Sequence, residues 1–310
     1  MADYPYLLLP RDFLAEARAM KGDCSREQAA QYTRWLAHVH YENFHVVSWL
    51  LPKNLHEDFY SVYGFCRWAD DLGDEIGDTT RSLELLAWWR KELHAMYAGE
   101  PPRHPVFVAL KETAARHHLP REPFDNLITA FEQDQRVTRY QDWNGVFGYC
   151  VNSANPVGRL VLMLGGYRDA ERFRLSDATC TALQLANFWQ DVTVDLLKDR
   201  IYLPLDLFAR HGYTERELFA HKFTPAFAAV MKDAVDVAER LFQEGLPLCR
   251  MIRRRLSLDI DLFSRGGMRV LEKIRAQGYD VLRVRPAISK TERVALLLRS
   301  LARLAFYKAA

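Results

Sequence analysis

Glycine and proline are scarce in this chain of 310 residues, which contains 15 of the first and 13 of the second. Turns depend on these two residues, so their low number disfavours a fold rich in short strands and loops. No uncharged apolar run reaches the roughly 18 residues that a transmembrane helix needs. The N-terminal stretch MADYPYLLLPRDF has no basic leader, and its apolar run is too short for a signal peptide. The sequence therefore predicts a soluble, cytoplasmic protein.

Paired cysteine motifs are also lacking. The five cysteines are odd in number and widely spaced, with no CxxC pair and no His/Cys spacing typical of zinc. A glycine-rich dinucleotide fingerprint is not found either. We expect the cysteines to be buried thiols in a reducing compartment; they are Cys24, Cys66, Cys150, Cys180 and Cys249.

What the sequence does contain is helical periodicity. Hydrophobic residues make up 49% of the chain and charged residues 26%, as in an ordinary globular protein. Apolar residues recur at spacings of three and four, and the breaks between periodic segments are too short to be domain linkers. These features predict one all-α domain over residues 1–310, with its core at about residues 25–290. Helices are predicted near 25–40 (opened by a capping box of Ser25 and Gln28), 56–75, 82–98, 104–118, 123–137, 143–164, 176–196, 224–244, 250–276 and 290–307.

Basic residues are concentrated toward the C-terminus. The net charge of the chain is only +2, yet residues 246–310 contain 15 Lys and Arg against 5 Asp and Glu. Such a region suits an anionic partner such as diphosphate, acidic lipid or nucleic acid, and a solvated surface is an equal alternative. It contains no recognised nucleic-acid motif, so nucleic acid is not an expected partner.

The stretch YSVYGFCRWADDLGDEI, residues 60–76, places four carboxylates within six positions. Residues four apart share one helix face, so these carboxylates form pairs that repel each other. They also lie toward the C-terminal end of the predicted helix, where the dipole disfavours anions. Two local penalties predict a compensating cation, and a solvated helix end is the alternative. One face carries Tyr63, Arg67, Asp70 and Asp74, and Asp71 pairs in the same way with Glu75.

A second acidic stretch, LQLANFWQDVTVDLLKDRIYLP, favours the cation. It places Asn187, Asp191 and Asp195 on one face of a predicted helix. Carboxylate and amide oxygens suit Mg²⁺, which usually binds few protein groups together with substrate phosphates. Two such helices facing each other would hold metal ions and leave coordination sites for a diphosphate. Donors compatible with phosphate follow directly downstream: Lys198, Arg200 and Tyr202.

These motifs together resemble the squalene/phytoene synthase family of isoprenoid synthases, over nearly the whole chain. YSVYGFCRWADDLGDE is similar to the family's first acidic motif, NFWQDVTVD to its second, and DRIYLP to the segment that follows. CVNSANPVGRLVL, residues 150–162, resembles a helix whose Gly158 lets the chain bend beside the hydrocarbon pocket or simply permits close helix packing. The resemblance implies the isoprenoid synthase fold, a single domain of packed helices around a central apolar cavity.

The resemblance also implies a cofactor and residue roles. The cofactor is Mg²⁺, held by Asp70, Asp74, Asn187, Asp191 and Asp195. Diphosphate binding is assigned to Arg67, Gln190, Lys198, Arg200 and Tyr202. The catalytic set comprises Asp70, Asp74, Asp191 and Asp195 together with Tyr63.

The chain departs from the family pattern at two places. Members that join two prenyl diphosphates usually carry His-Ser-Lys/Arg-Ser-Phe near the start, whereas this chain reads HYENF, with Glu42 at the position of the cation. Immediately before the central Asp of the second motif, Gln190 replaces the usual Arg. Joining two prenyl diphosphates brings two anionic groups into one site, so losing two cations there should be costly. The departures therefore favour a site for one diphosphate.

The patterns YENFHVVSWLLP and RGGMRVLEKIRAQGYDVL resemble one bacterial branch of the family, which forms hydroxysqualene in the hopanoid route. This implies Mg²⁺-assisted loss of diphosphate from presqualene diphosphate, opening of the cyclopropane and capture of the cation by water, with no NADPH. The implied partners are a prenyl diphosphate substrate and, by functional coupling, other enzymes of the squalene pathway. The alternatives are condensation of two farnesyl or geranylgeranyl diphosphates to squalene or phytoene, and a non-catalytic assembly or binding protein.

The last segment, TERVALLLRSLARLAFYKAA, is amphipathic. Arg293, Arg299 and Arg303 are spaced there among valine and leucine residues. One interpretation is a helix in peripheral contact with an anionic membrane, the inner face of the plasma membrane. The other interpretation is a last core helix with a basic outer face.

Overall fold

The computed structural model describes residues 7–15, 24–39 and 53–304. Within these ranges all regular secondary structure is helical. The sole β feature there is an isolated bridge between Arg139 and Ile201. The predicted all-α class is confirmed. No helix of the described ranges is long and apolar enough to cross a membrane. The helices are α1 (Pro10–Ala15), α2 (Arg26–Val39), α3 (His56–Asp74), α4 (Thr79–Tyr97), α5 (Pro105–His117), α6 (Glu122–Asp134), α7 (Trp143–Ser153), α8 (Asn155–Leu164), α9 (Ala170–Gln190), α10 (Val192–Leu196), α11 (Leu205–His211), α12 (Glu215–Phe219), α13 (Pro225–Gly245), α14 (Arg254–Ala276) and α15 (Lys290–Leu304).

The boundaries of most long helices agree with the predicted ones to within a few residues. The capping box is present: the backbone N–H of Ser25 donates to Gln28 Oε1 at 2.9 Å, and that of Gln28 donates to Ser25 Oγ at 3.3 Å. Two predicted helices are divided. Segment 143–164 breaks at Ala154, just before Pro156, because proline suits the first turn of a helix and not its interior. Segment 176–196 breaks at Asp191.

The helices fall into two compact units, Met1–Arg136 with Arg159–Arg168, and Val137–Gly158 with Asp169–Ala310. The single domain predicted from the sequence stays a prediction. In the first unit, aromatic rings hold α3 in place. Trp68 Nε1 donates to the Tyr32 hydroxyl of α2 at 2.8 Å. The Trp68 ring also stacks on Trp89 of α4, with centroids 5.1 Å apart, and all three side chains are fully buried.

The N-terminal end of α3 is fixed by a buried carboxylate. Asp58 is 1% exposed and accepts hydrogen bonds from Thr113 Oγ1 at 3.1 Å and Arg116 Nη1 at 2.9 Å. His117 Nε2 lies 2.8 Å from its second oxygen. A buried charge is tolerated where several partners compensate it. Asp58 therefore attaches α3, which carries the first acidic motif, to α5.

In the second unit, α9 packs along α13. The buried Trp189 Nε1 donates to the Ala234 carbonyl at 3.1 Å. A Cβ atom on Gly158 of α8 would lie 2.4 Å from both Cys180 Sγ and Ser176 Oγ of α9. The absence of a side chain at Gly158 is therefore explained by close helix packing.

The cysteines are free thiols. Cys150 and Cys249 are buried, and the other three are partly exposed. Burial raises the pKa of Cys150 to about 12 and that of Cys249 to about 12, so both thiols keep their protons at neutral pH.

His104 is a neutral imidazole in the core of the first unit. Its Nδ1 accepts from the backbone N–H of Val106 at 3.3 Å, which caps α5, and its ring centroid lies 4.3 Å from that of Trp68. Burial lowers the pKa of His104 to about 3. Below about pH 6.5 the unfolded chain binds a proton here and the folded chain does not, so stability should fall as the pH drops from 6.5 toward 3.

We expect this histidine to cost up to about 1.4 kcal/mol of unfolding free energy for each pH unit below 6.5. His104→Asn keeps a capping acceptor and cannot titrate. Urea denaturation near pH 7 and near pH 5 should therefore show a weaker pH dependence for His104→Asn than for the wild type. Parallel pH dependences in the two proteins would contradict a neutral His104.

Candidate active site

The first acidic motif lies at the C-terminal end of α3, and Arg67 stands among its carboxylates. The guanidinium lies 3.1 Å from Asp70 Oδ2 and also pairs with Asp71 Oδ1. The Asp71 side chain is 6% exposed and that of Asp70 is 41% exposed. The cation predicted to compensate this stripe is thus, in part, a residue of the same helix, and Asp70 and Asp74 are reachable from solvent.

Burial sets the ionisation of this motif. It raises the pKa of Asp71 to about 6, and Arg67 opposes that rise. Burial also raises the pKa of Tyr63 to about 12, so this phenol keeps its proton at neutral pH. The stripe combines a phenol donor, a guanidinium and accessible carboxylates. Such a set suits a cation bound together with a phosphate group.

The second acidic motif spans the junction of α9 and α10. Asp191 lies between the two helices with φ −105° and ψ 14°, so the continuous helix predicted through residue 196 is wrong. The backbone keeps the spacing of the motif all the same. The N–H of Asp191 donates to the carbonyl of Asn187 at 2.9 Å, and the N–H of Asp195 donates to the carbonyl of Asp191 at 2.9 Å. The three predicted ligands still follow one another at intervals of one turn.

A segment distant in sequence reaches the second motif. Arg285, in the loop between α14 and α15, donates from Nε to Asp191 Oδ1. Its neighbour Pro286 accepts a hydrogen bond from Gln190 Nε2 at 2.5 Å. Gln190, where the family pattern has Arg, therefore holds a loop that brings an arginine to the adjacent aspartate. Sequence reasoning missed Arg285, because the only signal for it was the general basic excess after residue 246.

Three further predicted residues line one small cavity in the second unit. Asp195, Arg200 and Tyr202 are the polar residues among the mainly apolar side chains that line a void of about 10 Å³, enough for about one water. Tyr202 stacks on Phe188 of α9, with ring centroids 3.7 Å apart, which fixes the orientation of the phenol. Lys198, in contrast, is exposed and does not line this void.

The predicted magnesium ligands suit a hard cation in their chemistry. Each is at least partly exposed, whereas the neighbouring Phe188, Trp189 and Val192 are buried. Across the part of the chain that the structure describes, no three His, Cys, Asp or Glu side chains are grouped so as to hold a metal ion. Magnesium commonly takes one or two carboxylates and completes its shell with substrate phosphates, so two aspartates in each motif fit it. That the two motifs face each other stays a prediction.

Two further expectations are left untested by the structure. The HYENF run, residues 40–44, lies outside the described residues, so the role of Glu42 stays a prediction. The central apolar cavity implied by the resemblance stays a prediction as well.

Residues 37–292 match the squalene/phytoene synthase family. The chain belongs to this family. The crystal structure of squalene synthase HpnC from Alicyclobacillus acidocaldarius is 44% identical and covers 82% of this chain and 95% of that chain, with a TM-score of 0.78. Hydroxysqualene synthase from Rhodopseudomonas palustris is 31% identical over 76% of this chain and 80% of that protein. Phytoene synthase from Thermus thermophilus is 32% identical over 84% and 88%. The predicted enzyme family is confirmed.

The buried pair of Arg67 and Asp71 predicts a pH-dependent stability. Without the guanidinium, Asp71 must either stay charged and uncompensated or take up a proton, which is easier at low pH. Arg67→Met should therefore destabilise the protein by about 3 kcal/mol near pH 8, the lower end for a broken buried ion pair, because Arg67 keeps 24% of its surface exposed. Near pH 5 the loss should be clearly smaller.

Chemical denaturation at the two pH values measures this difference. Arg81→Met is the matched control, since Arg81 pairs with Glu84 at 2.8 Å on an exposed helix surface. We expect it to cost less than about 1 kcal/mol at either pH. An equal loss for Arg67→Met at both pH values would refute the raised pKa of Asp71.

Proposed function

We propose that this chain converts presqualene diphosphate to hydroxysqualene. The observation that carries the proposal is the 31% identity, over 76% of the chain, to a hydroxysqualene synthase. The 44% identity to squalene synthase HpnC and the presence of every acidic residue of both motifs support it further. Arg200 and Tyr202 beside Asp195 add phosphate donors next to one of the aspartates.

The proposed reaction needs no reductant. The bond from carbon to the diphosphate oxygen breaks, and its electron pair leaves with the diphosphate. The cyclopropane of the resulting cation opens, a water oxygen bonds to carbon, and that water loses a proton. Water replaces diphosphate at the same oxidation level, so no NADPH takes part.

In this proposal the residues of the two motifs bind either the metal or the diphosphate. When bound, magnesium would neutralise charge on the departing diphosphate. Tyr63 and Arg67 would donate to phosphate oxygens from the first motif, and Arg200 and Tyr202 from the second. The stacking on Phe188 would keep Tyr202 from turning away. The residues that would hold the metal are Asp70, Asp74, Asn187, Asp191 and Asp195.

The two alternatives are less well supported. Identity to a phytoene synthase, at 32%, is no lower than to the hydroxysqualene synthase, so overall similarity to these two does not decide between them. The stronger likeness to HpnC, a squalene synthase, favours the squalene branch over phytoene formation. Gln190 alone is weak support for a site that binds one diphosphate, because Arg285 supplies a cation beside it. A non-catalytic protein would not need to keep all the aspartates of both motifs.

Product analysis tests the proposal directly. The purified chain with presqualene diphosphate and Mg²⁺ should give hydroxysqualene, and addition of a chelator should stop the reaction. Farnesyl diphosphate alone should give neither presqualene diphosphate nor squalene. Asp191→Asn should lose turnover while the protein stays folded. Efficient formation of squalene from farnesyl diphosphate alone would overturn the proposed substrate.

The pair of Arg285 and Asp191 leads to a prediction about the Mg²⁺ affinity of the second motif. Its guanidinium pairs with Asp191, so Mg²⁺ bound at Asp191 must compete with it. Arg285→Gln should therefore bind Mg²⁺ alone more tightly than the wild type, by roughly fivefold for a partly exposed pair worth about 1 kcal/mol. Arg283→Gln, in the same loop, is the matched control and should leave the affinity unchanged.

Titration calorimetry with MgCl₂ separates the possible failures. If the wild type binds no Mg²⁺ in the presence or absence of inorganic diphosphate, the metal assignment fails. If the wild type and Arg285→Gln bind Mg²⁺ with equal affinity, the metal assignment stands and the competition by Arg285 is refuted.

A further inference from the structure

A cationic pocket lies between the helices α14 and α15. Its volume is about 110 Å³, whereas a cavity needs roughly 10–15 Å³ to hold one water. The pocket therefore has room for a small anion with several oxygens, and no residue of either acidic motif lines it. Four guanidinium groups, one carboxylate and one hydroxyl provide its polar lining: Arg265, Arg269, Arg299, Arg303, Glu272 and Ser300.

The two arginines on the α14 side are compensated by carboxylates to different extents. Arg269 pairs with Glu272 and with Glu292, each at 2.8 Å. Arg265 pairs with Asp261 Oδ1 through its Nε alone, at 3.2 Å. Within the described residues, the two Nη nitrogens of Arg265 donate no hydrogen bond. Arg265 therefore keeps donors for one further acceptor.

The two arginines on the α15 side are not compensated. In the part of the chain that the structure describes, the side chains of Arg299 and Arg303 take part in no ion pair and no hydrogen bond. They stand four residues apart on one helix, where like charges repel each other. An anion bound between them would replace that repulsion by attraction. The charges of the pocket therefore favour an anionic ligand.

A buried hydroxyl in the same lining lacks a partner. Ser300 is 1% exposed, and its Oγ has no hydrogen-bond partner in the described chain. An unsatisfied buried hydroxyl costs free energy, and native proteins rarely leave one without a reason. An anion oxygen in the pocket would accept this hydrogen bond, and the exposed side chains of Arg299 and Arg303 are long enough to move and admit it. This observation is independent of the charges.

We propose that the pocket binds one phosphate-type oxyanion, held by Arg265, Arg299, Arg303 and the Ser300 hydroxyl. A tetrahedral oxyanion presents oxygens in several directions, which suits three guanidinium groups and a hydroxyl, whereas a carboxylate presents two oxygens in one plane. The bound anion would bridge α14 and α15 and so hold α15 in place. The inference does not rest on the proposed reaction.

Titration calorimetry of the full chain with inorganic phosphate, in the presence of a chelator, tests the site. The wild type should bind phosphate and should not bind acetate at the same ionic strength. Arg299→Gln/Arg303→Gln should bind phosphate at least about tenfold more weakly, because it removes two charge-assisted contacts.

Lys290→Gln/Arg293→Gln is the matched control. It removes the same charge from two exposed positions of α15 that do not line the pocket. Solvent and salt screen these charges, so we expect the phosphate affinity to stay within about twofold of the wild type. The comparison separates a contact in the pocket from an effect of net charge.

Ser300→Ala tests the hydroxyl alone. Its Oγ has no partner to lose, so the melting temperature in buffer without phosphate should not fall. Phosphate should bind this variant about fivefold more weakly, as expected for one lost hydrogen bond. Added phosphate should also raise the melting temperature of the wild type more than that of Arg299→Gln/Arg303→Gln.

Glycerol 3-phosphate distinguishes two sources of the same chemical group. It carries the phosphate on a larger molecule, so an affinity equal to or above that of inorganic phosphate indicates that the site takes a phosphate monoester. A clearly lower affinity indicates that it takes the free ion. Both results require the loss of binding in Arg299→Gln/Arg303→Gln.

Three results would overturn the proposal. The first is a wild type that binds no phosphate. The second is an equal loss of affinity in the two double glutamine variants, which would reduce the effect to net charge. The third is acetate binding as tight as phosphate binding, which would exclude a site built for a tetrahedral oxyanion.

Discussion

A carboxylate placed beside a buried helix face needs a cation close by, and both acidic motifs are organised by this requirement. Leaving water costs a charged group several kcal/mol, so an uncompensated Asp71 would be protonated or would unfold its surroundings. Arg67, one turn earlier on α3, supplies the charge locally. Asp191 receives its cation from Arg285, 94 residues further along the chain. The two motifs share a chemical composition and differ in where the compensating charge comes from.

This difference separates two kinds of aspartate. Asp71 is deeply buried and its arginine is on the same rigid helix, so its compensation is permanent. Asp191 is 28% exposed, and its arginine is 48% exposed on a loop. Partly exposed pairs are worth little, about 1 kcal/mol or less, and are readily exchanged for another cation. A permanent pair suits a structural carboxylate and an exchangeable pair suits a ligand, which is consistent with magnesium binding at Asp191 rather than at Asp71.

The sequence predicted the long helices because their apolar periodicity runs over three or more turns, as in α3 and α13. It missed α1, α11 and α12, which are too short for a periodic signal. The break at Asp191 was also hidden, because the hydrogen bonds that link Asn187 to Asp191 and Asp191 to Asp195 keep the helical spacing across it. The acidic residues of the candidate site could be read from spacing alone. Arg285 could not, since pairing between distant segments leaves no local pattern.

At Gln190 the sequence alone gives a misleading picture of the charge. A neutral amide in place of the family's Arg implies that the second motif has lost a cation. In the folded chain, the same amide donates to Pro286 and so holds the loop that carries Arg285. The cation beside Asp191 is therefore a loop residue, Arg285, and not a residue of the helix. A guanidinium on a helix is fixed relative to its carboxylates, whereas one on a loop can move with the segment that bears it. The charge available at Asp191 consequently depends on the position of that loop, and a single hydrogen bond from Gln190 helps to set it.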